Sequence, residues 1–319
     1  MAEMLGASVA QLDPRKFQDP FLTAKGEKRA QVALYSLDTL WFNTGTLCNL
    51  TCHNCYIESS PKNDRLVYLS AAEVAAYLDE IADLRLGTTL IGFTGGEPFM
   101  NPEFPAMLDL VLGRGFRALV LTNAMKPMHR QKPALLALRR RYGDQLTIRV
   151  SIDHYGRAVH EAERGRRSWQ PTIDGLLWLA ANGFAIAIAS RRLSGEPEAV
   201  IRRGFAGLFT ELGLAIDPDD PVALTIFPEM DAAVDVPEIT ESCWGILGKS
   251  PEDVMCASSR MVVKFKGTAR PTVIACTLLP YDSRFDLGPT LAGALRSVPL
   301  NHPHCARFCV LGGGACSRG

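Results

Sequence analysis

No apolar run in this chain approaches the roughly 18 residues that a transmembrane helix needs. The opening residues, Met1-Ala2-Glu3-Met4, lack the basic and apolar regions of a signal peptide. The expectation is a cytoplasmic protein with no membrane partner. Charge of one sign is missing too. Thirty-four basic residues balance 34 acidic ones, so no global field favours nucleic acid. Low-complexity tracts and short tandem repeats are absent. Cysteine is missing from the whole stretch 56–242.

That last gap frames what is present. Nine cysteines stand in two groups: Cys48, Cys52 and Cys55, then Cys243, Cys256, Cys276, Cys305, Cys309 and Cys316. In a reducing cytosol disulfides are not expected, so two groups read as two metal sites. The remaining composition, 47% hydrophobic and 21% charged over 319 residues, is that of a globular protein with a large core or two domains.

Residues 1–35 are polar and mixed, an N-terminal extension. From residue 36 the chain alternates apolar β-like runs with amphipathic helical ones. Strands are predicted at 40–43, 89–93, 118–121, 146–152, 184–189 and 222–227. Helices are predicted at 70–85, 104–112, 133–141, 173–181 and 197–212. Ser70 and Glu73 form a capping box at the first helix. Six βα units with continuously apolar strands argue an α/β fold with a parallel sheet covered by helices. Alternation alone does not separate a doubly wound sheet from an open or closed barrel. Pro228, Pro237 and Pro251 interrupt regular structure where cysteines reappear. The core is therefore placed at 36–230 and a cysteine-rich domain at 231–319.

Cys48-Asn49-Leu50-Thr51-Cys52-His53-Asn54-Cys55 follows the first strand, a C-x3-C-x2-C spacing. Ligands gather at the carboxyl ends of strands in parallel α/β folds. Three thiolates on one loop can hold three irons of a cubane cluster and leave the fourth open, whereas electron carriers usually fill all four. A zinc site is the alternative, since C-x2-C is also a zinc spacing. Gly95-Gly96-Glu97-Pro98 follows the second strand and should face the same end of the sheet. Two glycines would let a ligand approach the backbone, and Glu97 can accept hydrogen bonds from a cationic amino group. Its plainer reading is a strand-to-helix turn.

Together these two motifs resemble the radical S-adenosylmethionine (SAM) superfamily, over about residues 36–227. The resemblance implies a partial (β/α)6 barrel of the TIM-like kind. It implies a [4Fe–4S] cluster on Cys48, Cys52 and Cys55, with SAM on the open iron and its amino group at Gly95, Gly96, Glu97 and Pro98. Reductive cleavage would then give methionine and a 5′-deoxyadenosyl radical that abstracts a substrate hydrogen. The family's aromatic residue before the third cysteine is Asn54 here, which leaves Tyr56 as the neighbour for adenine. Ser151-Ile152-Asp153 with Arg164 resembles a family pattern in which the serine meets ribose and the arginine meets the SAM carboxylate. Arg164 is otherwise one of the solvated charges of 164–167. Thr122-Asn123 and Ser190-Arg191 face the same mouth, as pocket residues or as polar turns.

The C-terminal pattern Cys256-x19-Cys276 and Cys305-x3-Cys309-x6-Cys316, with a hairpin around Gly267, resembles SPASM and twitch extensions. It implies a β-hairpin and helix holding one auxiliary [4Fe–4S] cluster. The resemblance makes Cys256 and Cys276 its expected ligands, with the rest supplied from Cys305, Cys309 and Cys316, one of them spare. Zinc is the alternative there. Cys243 reads as a buried thiol. His302 and His304 are ligand candidates or solvated loop residues, and Tyr281 and Asp282 are pocket candidates.

The expected function is radical SAM oxidation or rearrangement of a small molecule, or of a peptide. About 35 residues before the first strand are too few for a leader-binding winged helix, which favours a small molecule or a peptide delivered by a partner. The resemblance also implies a low-potential flavodoxin or ferredoxin as donor. A peptide-modifying maturase, a non-catalytic iron–sulfur carrier or scaffold, and a zinc-stabilised interaction protein are the competing readings.

Overall fold

The computed structural model describes residues 10–193 and 195–314. Its strands are β1 (Gln31–Val32), β2 (Thr39–Asn43), β3 (Leu90–Thr94), β4 (Arg117–Thr122), β5 (Leu146–Ser151), β6 (Ala185–Arg191), β7 (Leu224–Phe227), β8 (Ser259–Val263), β9 (Thr272–Ile274) and β10 (Val298–Pro299). The helices are α1 (Ala71–Asp83), α2 (Phe104–Gly113), α3 (Lys126–Arg130), α4 (Lys132–Tyr142), α5 (Arg157–Arg164), α6 (Trp169–Ala181), α7 (Glu198–Leu212) and α8 (Cys243–Leu247).

Strands β2 to β7 form one parallel sheet in sequential order. Every residue of β2 and of β3 is buried, as a strand covered on both faces requires. Phe42 and Phe93 stack across these two strands, and Phe93 meets Phe104 of α2 edge-on. The α1 capping box forms as predicted, with Ser70 Oγ accepting from Glu73 N and Glu73 accepting from Ser70 N. The sequential parallel order is that of an open barrel, and it carries every βα loop to the same end of the sheet.

The C-terminal cysteine segment continues this sheet. β8 pairs in parallel with β2, from Thr39↔Ser259 to Phe42↔Val262, and β9 returns antiparallel to β8. Gly267 turns the hairpin with φ +84°, a value that costs glycine little. Beyond it lies a π-helical turn, Cys305–Leu311.

The described part of the N-terminal extension packs against this C-terminal region. β1 pairs antiparallel with β10, and Arg29 bridges to Thr240. Arg29 is fully buried, 2.5 Å from Glu238, and donates to the carbonyls of Asp19, Leu22 and Leu300. No helix among the described residues is long and apolar enough to cross a membrane.

Candidate active site

The loops after β2 to β7 enclose one cavity of about 150 Å³. Cys48, Cys52 and Cys55 line it together with Tyr56, Gly95, Gly96, Thr122, Asn123, Ser151 and Arg164. Backbone donors already point at two of the sulfurs: Leu50 N–H to Cys48 Sγ at 3.4 Å and Ser59 N–H to Cys55 Sγ at 3.3 Å. Asn123 Nδ2 lies 3.9 Å from Cys48 Sγ. Such donors favour thiolate charge. Burial, with Glu97 nearby, instead pushes the Cys48 thiol up to about 12, and burial raises Cys52 too. A cationic metal centre resolves that conflict by taking the thiolate directly. Among the described residues no three His, Cys, Asp or Glu side chains converge on a point for a single ion. A cluster asks for a different arrangement, each thiolate meeting its own iron. The thiols around this cavity fit it.

The glycines of the next motif do something the sequence did not foretell. A Cβ on Gly96 would lie 2.1 Å from Leu47 O, and one on Gly95 2.6 Å from Gly45 O. Gly96 N–H donates to Gly45 O at 2.7 Å and Glu97 N–H to Leu47 O at 3.1 Å. Here the missing side chains admit the backbone that leads into the cysteine loop. The two motifs are locked together.

Glu97 is 2% exposed. Its Oε1 accepts from Thr122 Oγ1 at 2.7 Å and from Phe99 N at 3.3 Å, and its Oε2 accepts from Asn123 N at 2.9 Å. Burial outweighs these bonds and pushes the carboxyl up to about 7. Glu97 and Pro98 do not themselves line the cavity, although Gly95, Gly96, Thr122 and Asn123 around them do. Thr122 and Asn123, which the sequence left between pocket and turn, are the supports of this acid. Pro98 opens a short 3-10 turn, its missing N–H costing nothing there.

Arg164 is not a solvated charge. It closes α5 with its side chain 13% exposed, Nη2 donating to Asp153 Oδ1 at 3.0 Å and Nε standing 2.9 Å from Oδ2. Burial disfavours both charges, but their pairing outweighs it, lowering Asp153 and raising Arg164. The pair engages Nε and Nη2 of the guanidinium, and Arg164 lines the cavity. Ser151, at the end of β5, lines the cavity one strand along. The Tyr56 hydroxyl lies 3.3 Å from Thr94 Oγ1. Asn54 explains its own departure from the aromatic pattern. Its Nδ2 donates to Glu163 Oε2 at 2.9 Å, and its carbonyl accepts from Arg191 Nη1 at 3.0 Å. Glu163 and Arg191, which hold the cysteine loop, were not found from sequence as its anchors.

A second, smaller cavity is lined by Cys256, Cys276, Cys305 and Cys309, with His304, Leu278 and apolar residues. Cys305 and Cys309 lie four apart on the π-helical turn, a spacing that keeps both on one side. Leu278 N–H points at Cys276 Sγ at 3.4 Å. Burial pushes Cys256 up to about 11 and Cys305 to about 12. Cys316 lies outside the described residues. Cys243, half-buried, accepts from Thr240 N at 3.3 Å and is not among the cavity's lining residues. Leu278 lines both cavities, and Phe308 of the π turn faces the larger one, stacked on Phe227. Tyr281 and Asp282 line an open cleft beside them with His302 and His304. Tyr281 donates to Ile57 O at 2.9 Å, and Asp282 pairs with Arg284 at 2.5 Å.

Three thiols on one cavity, a buried acid and an open parallel barrel are the parts of a radical SAM domain, and the sequence model of the Radical SAM superfamily matches residues 42–191. That segment carries the radical SAM match, and enzymes of that superfamily use a [4Fe–4S] cluster and SAM. Over 143 residues it is 31% identical to the antilisterial bacteriocin subtilosin biosynthesis protein AlbA of Bacillus subtilis (strain 168), covering 44% of this chain and 30% of that protein. It is also 31% identical over 140 residues to the mycofactocin maturase MftC of Mycobacterium ulcerans (strain Agy99), covering 44% and 36%. The chain thus matches about a third of the length of these relatives. Streptococcus suis SuiB bound to S-adenosylmethionine superposes with a TM-score of 0.57 at 12% identity, over 81% of this chain and 64% of that one. The enzyme anSMEcpe with bound AdoMet superposes with a TM-score of 0.57 at 14% identity, over 80% and 76%. At such identities the likeness is one of fold.

Proposed function

We propose that this chain is a radical SAM enzyme that modifies a peptide. Cys48, Cys52 and Cys55 hold the SAM-binding [4Fe–4S] cluster. SAM lies against Gly95, Gly96, Glu97 and Pro98, with Ser151, Tyr56 and Arg164 around it. When bound, cluster and SAM supply reductive cleavage to a 5′-deoxyadenosyl radical. The chain's own residues orient and shield. Glu97 accepts the ligand ammonium, Arg164 Nη1 meets its carboxylate, and Phe227, Met230, Leu278 and Phe308 keep water from the reacting end.

Cys256, Cys276, Cys305 and Cys309 hold one auxiliary [4Fe–4S] cluster, with Cys316 as the spare thiol. The observation that supports this most is the four-cysteine cavity beside the radical cavity, separated from it by Leu278. The donor in this reading is a low-potential flavodoxin or ferredoxin. A peptide substrate takes precedence over the small molecule favoured by the sequence, because SuiB has been solved bound to the precursor peptide SuiA and MftC is a maturase. An electron carrier or scaffold needs no acid held like Glu97, and that reading is not favoured.

The test is anaerobic reconstitution, dithionite reduction and incubation with SAM. The expected result is 5′-deoxyadenosine and methionine from a protein carrying about eight irons. The Cys48, Cys52 and Cys55 triple alanine variant should retain about four irons and cleave nothing. Cys309→Ala should lose the second cluster, and Cys316→Ala should keep it. Protein that holds both clusters and forms no 5′-deoxyadenosine would favour the carrier.

A further inference from the structure

Arg260 lies within β8 and is 1% exposed. All of its hydrogen bonds go to main-chain carbonyls. Nε donates to Ala294 O at 3.0 Å, Nη1 to Cys256 O at 2.6 Å and Ser259 O at 2.8 Å, and Nη2 to Arg296 O at 3.1 Å. Among the described residues no carboxylate forms an ion pair with it. Two other buried arginines differ in this respect: Arg29 has Glu238 and Arg164 has Asp153.

An unpaired buried charge is strongly destabilising, and a guanidinium does not escape by losing its proton. The carbonyls solvate the cation without neutralising it. Its Nη1 bond to the Cys256 carbonyl, at 2.6 Å, ties the guanidinium to the main chain of a residue that lines the four-cysteine cavity. Four thiolates on a [4Fe–4S] core give a dianion when oxidised and a trianion when reduced. That is the missing counter-charge.

We propose that Arg260 is the fixed counter-cation of the auxiliary cluster, holding its reduction potential up and favouring its retention. The assignment rests on the four-cysteine reading above. Arg260 lines none of the three cavities and reaches the four-cysteine one only through the main chain of Cys256. It is a positioning residue that acts through the cluster.

The experiment uses the full chain with Cys48, Cys52 and Cys55 replaced by alanine, so that only the auxiliary cluster remains. Iron content and an EPR-monitored redox titration are compared for Arg260, Arg260→Lys and Arg260→Gln. The Gln variant should lower the reduced-to-oxidised ratio at a fixed poise about tenfold, a shift of about 59 mV for one electron. The Lys variant should stay near the parent. If Gln proves unable to hold iron, retention of iron by Lys supports the proposal, and equal loss from both overturns it in favour of a carbonyl clamp. An unchanged potential in an iron-loaded Gln variant also overturns it. A parent protein without iron refutes the four-cysteine cluster itself, and the role of Arg260 with it.

Discussion

Arg164 and Asp153 form a buried ion pair at the mouth of the radical cavity, Nε 2.9 Å from Oδ2. Removing one partner strands the other charge. Arg164→Met should therefore lose about 3–5 kcal/mol of stability, measured by chemical denaturation of the iron-free protein. Replacing both, as Asp153→Leu with Arg164→Met, should recover most of that stability without restoring SAM cleavage. A loss below 1 kcal/mol for the single variant would show that the pair is solvated in solution.

Gly96→Ala places a methyl group on Leu47 O. Backbone must move, and what moves is the segment entering the cysteine loop. The expected cost is about 1–3 kcal/mol, with iron retention at the first cluster reduced more than stability. Wild-type iron content in this variant would mean that the turn and the loop are not coupled.

Glu97 gives a pH signature. Its carboxyl stands at about 7 in the folded protein, against 4.5 for the free group. Between those values the folded state binds more protons than the unfolded one, so stability falls as pH rises. Below about 4.5 the group contributes no penalty, and above about 7 the penalty is complete, on the order of 3 kcal/mol. Glu97→Gln should flatten that part of the stability–pH curve in the iron-free protein, while weakening SAM binding to the reconstituted one. Parallel curves for the two proteins would rule out the raised carboxyl.

The strands were legible because burial on both faces leaves a continuous apolar run, as in Leu90–Thr94. α5 was not. Its sequence, Arg-Ala-Val-His-Glu-Ala-Glu-Arg, buries only His160 and carries no apolar stripe. With that helix unseen, Arg164 stayed split between solvent and ligand, and its partner Asp153 was read only as part of a motif. The cysteine motifs announced themselves by spacing. What holds them did not, since Thr122 and Asn123, Glu163, and Arg191 come from three separate places, the ends of β4, α5 and β6. One clue was available: a buried Glu97 needs donors, and Thr122-Asn123 ends the adjacent strand. Sequence suggested ligand access for Gly95 and Gly96, and geometry adds a chain crossing. The assembly of Cys256 and Cys276 with Cys305 and Cys309 depends on where the π turn docks, which spacing does not encode.

The strand that delivers Cys48 and the strand that follows Cys256 share one hydrogen-bonded ladder, β2 beside β8. The separation of these two strands is therefore set by strand spacing and register. Cys48 and Cys256 are each tethered within five residues of this shared ladder. A chain cut at residue 230 would also leave β2 with unpaired backbone groups along its length, an edge prone to join other chains.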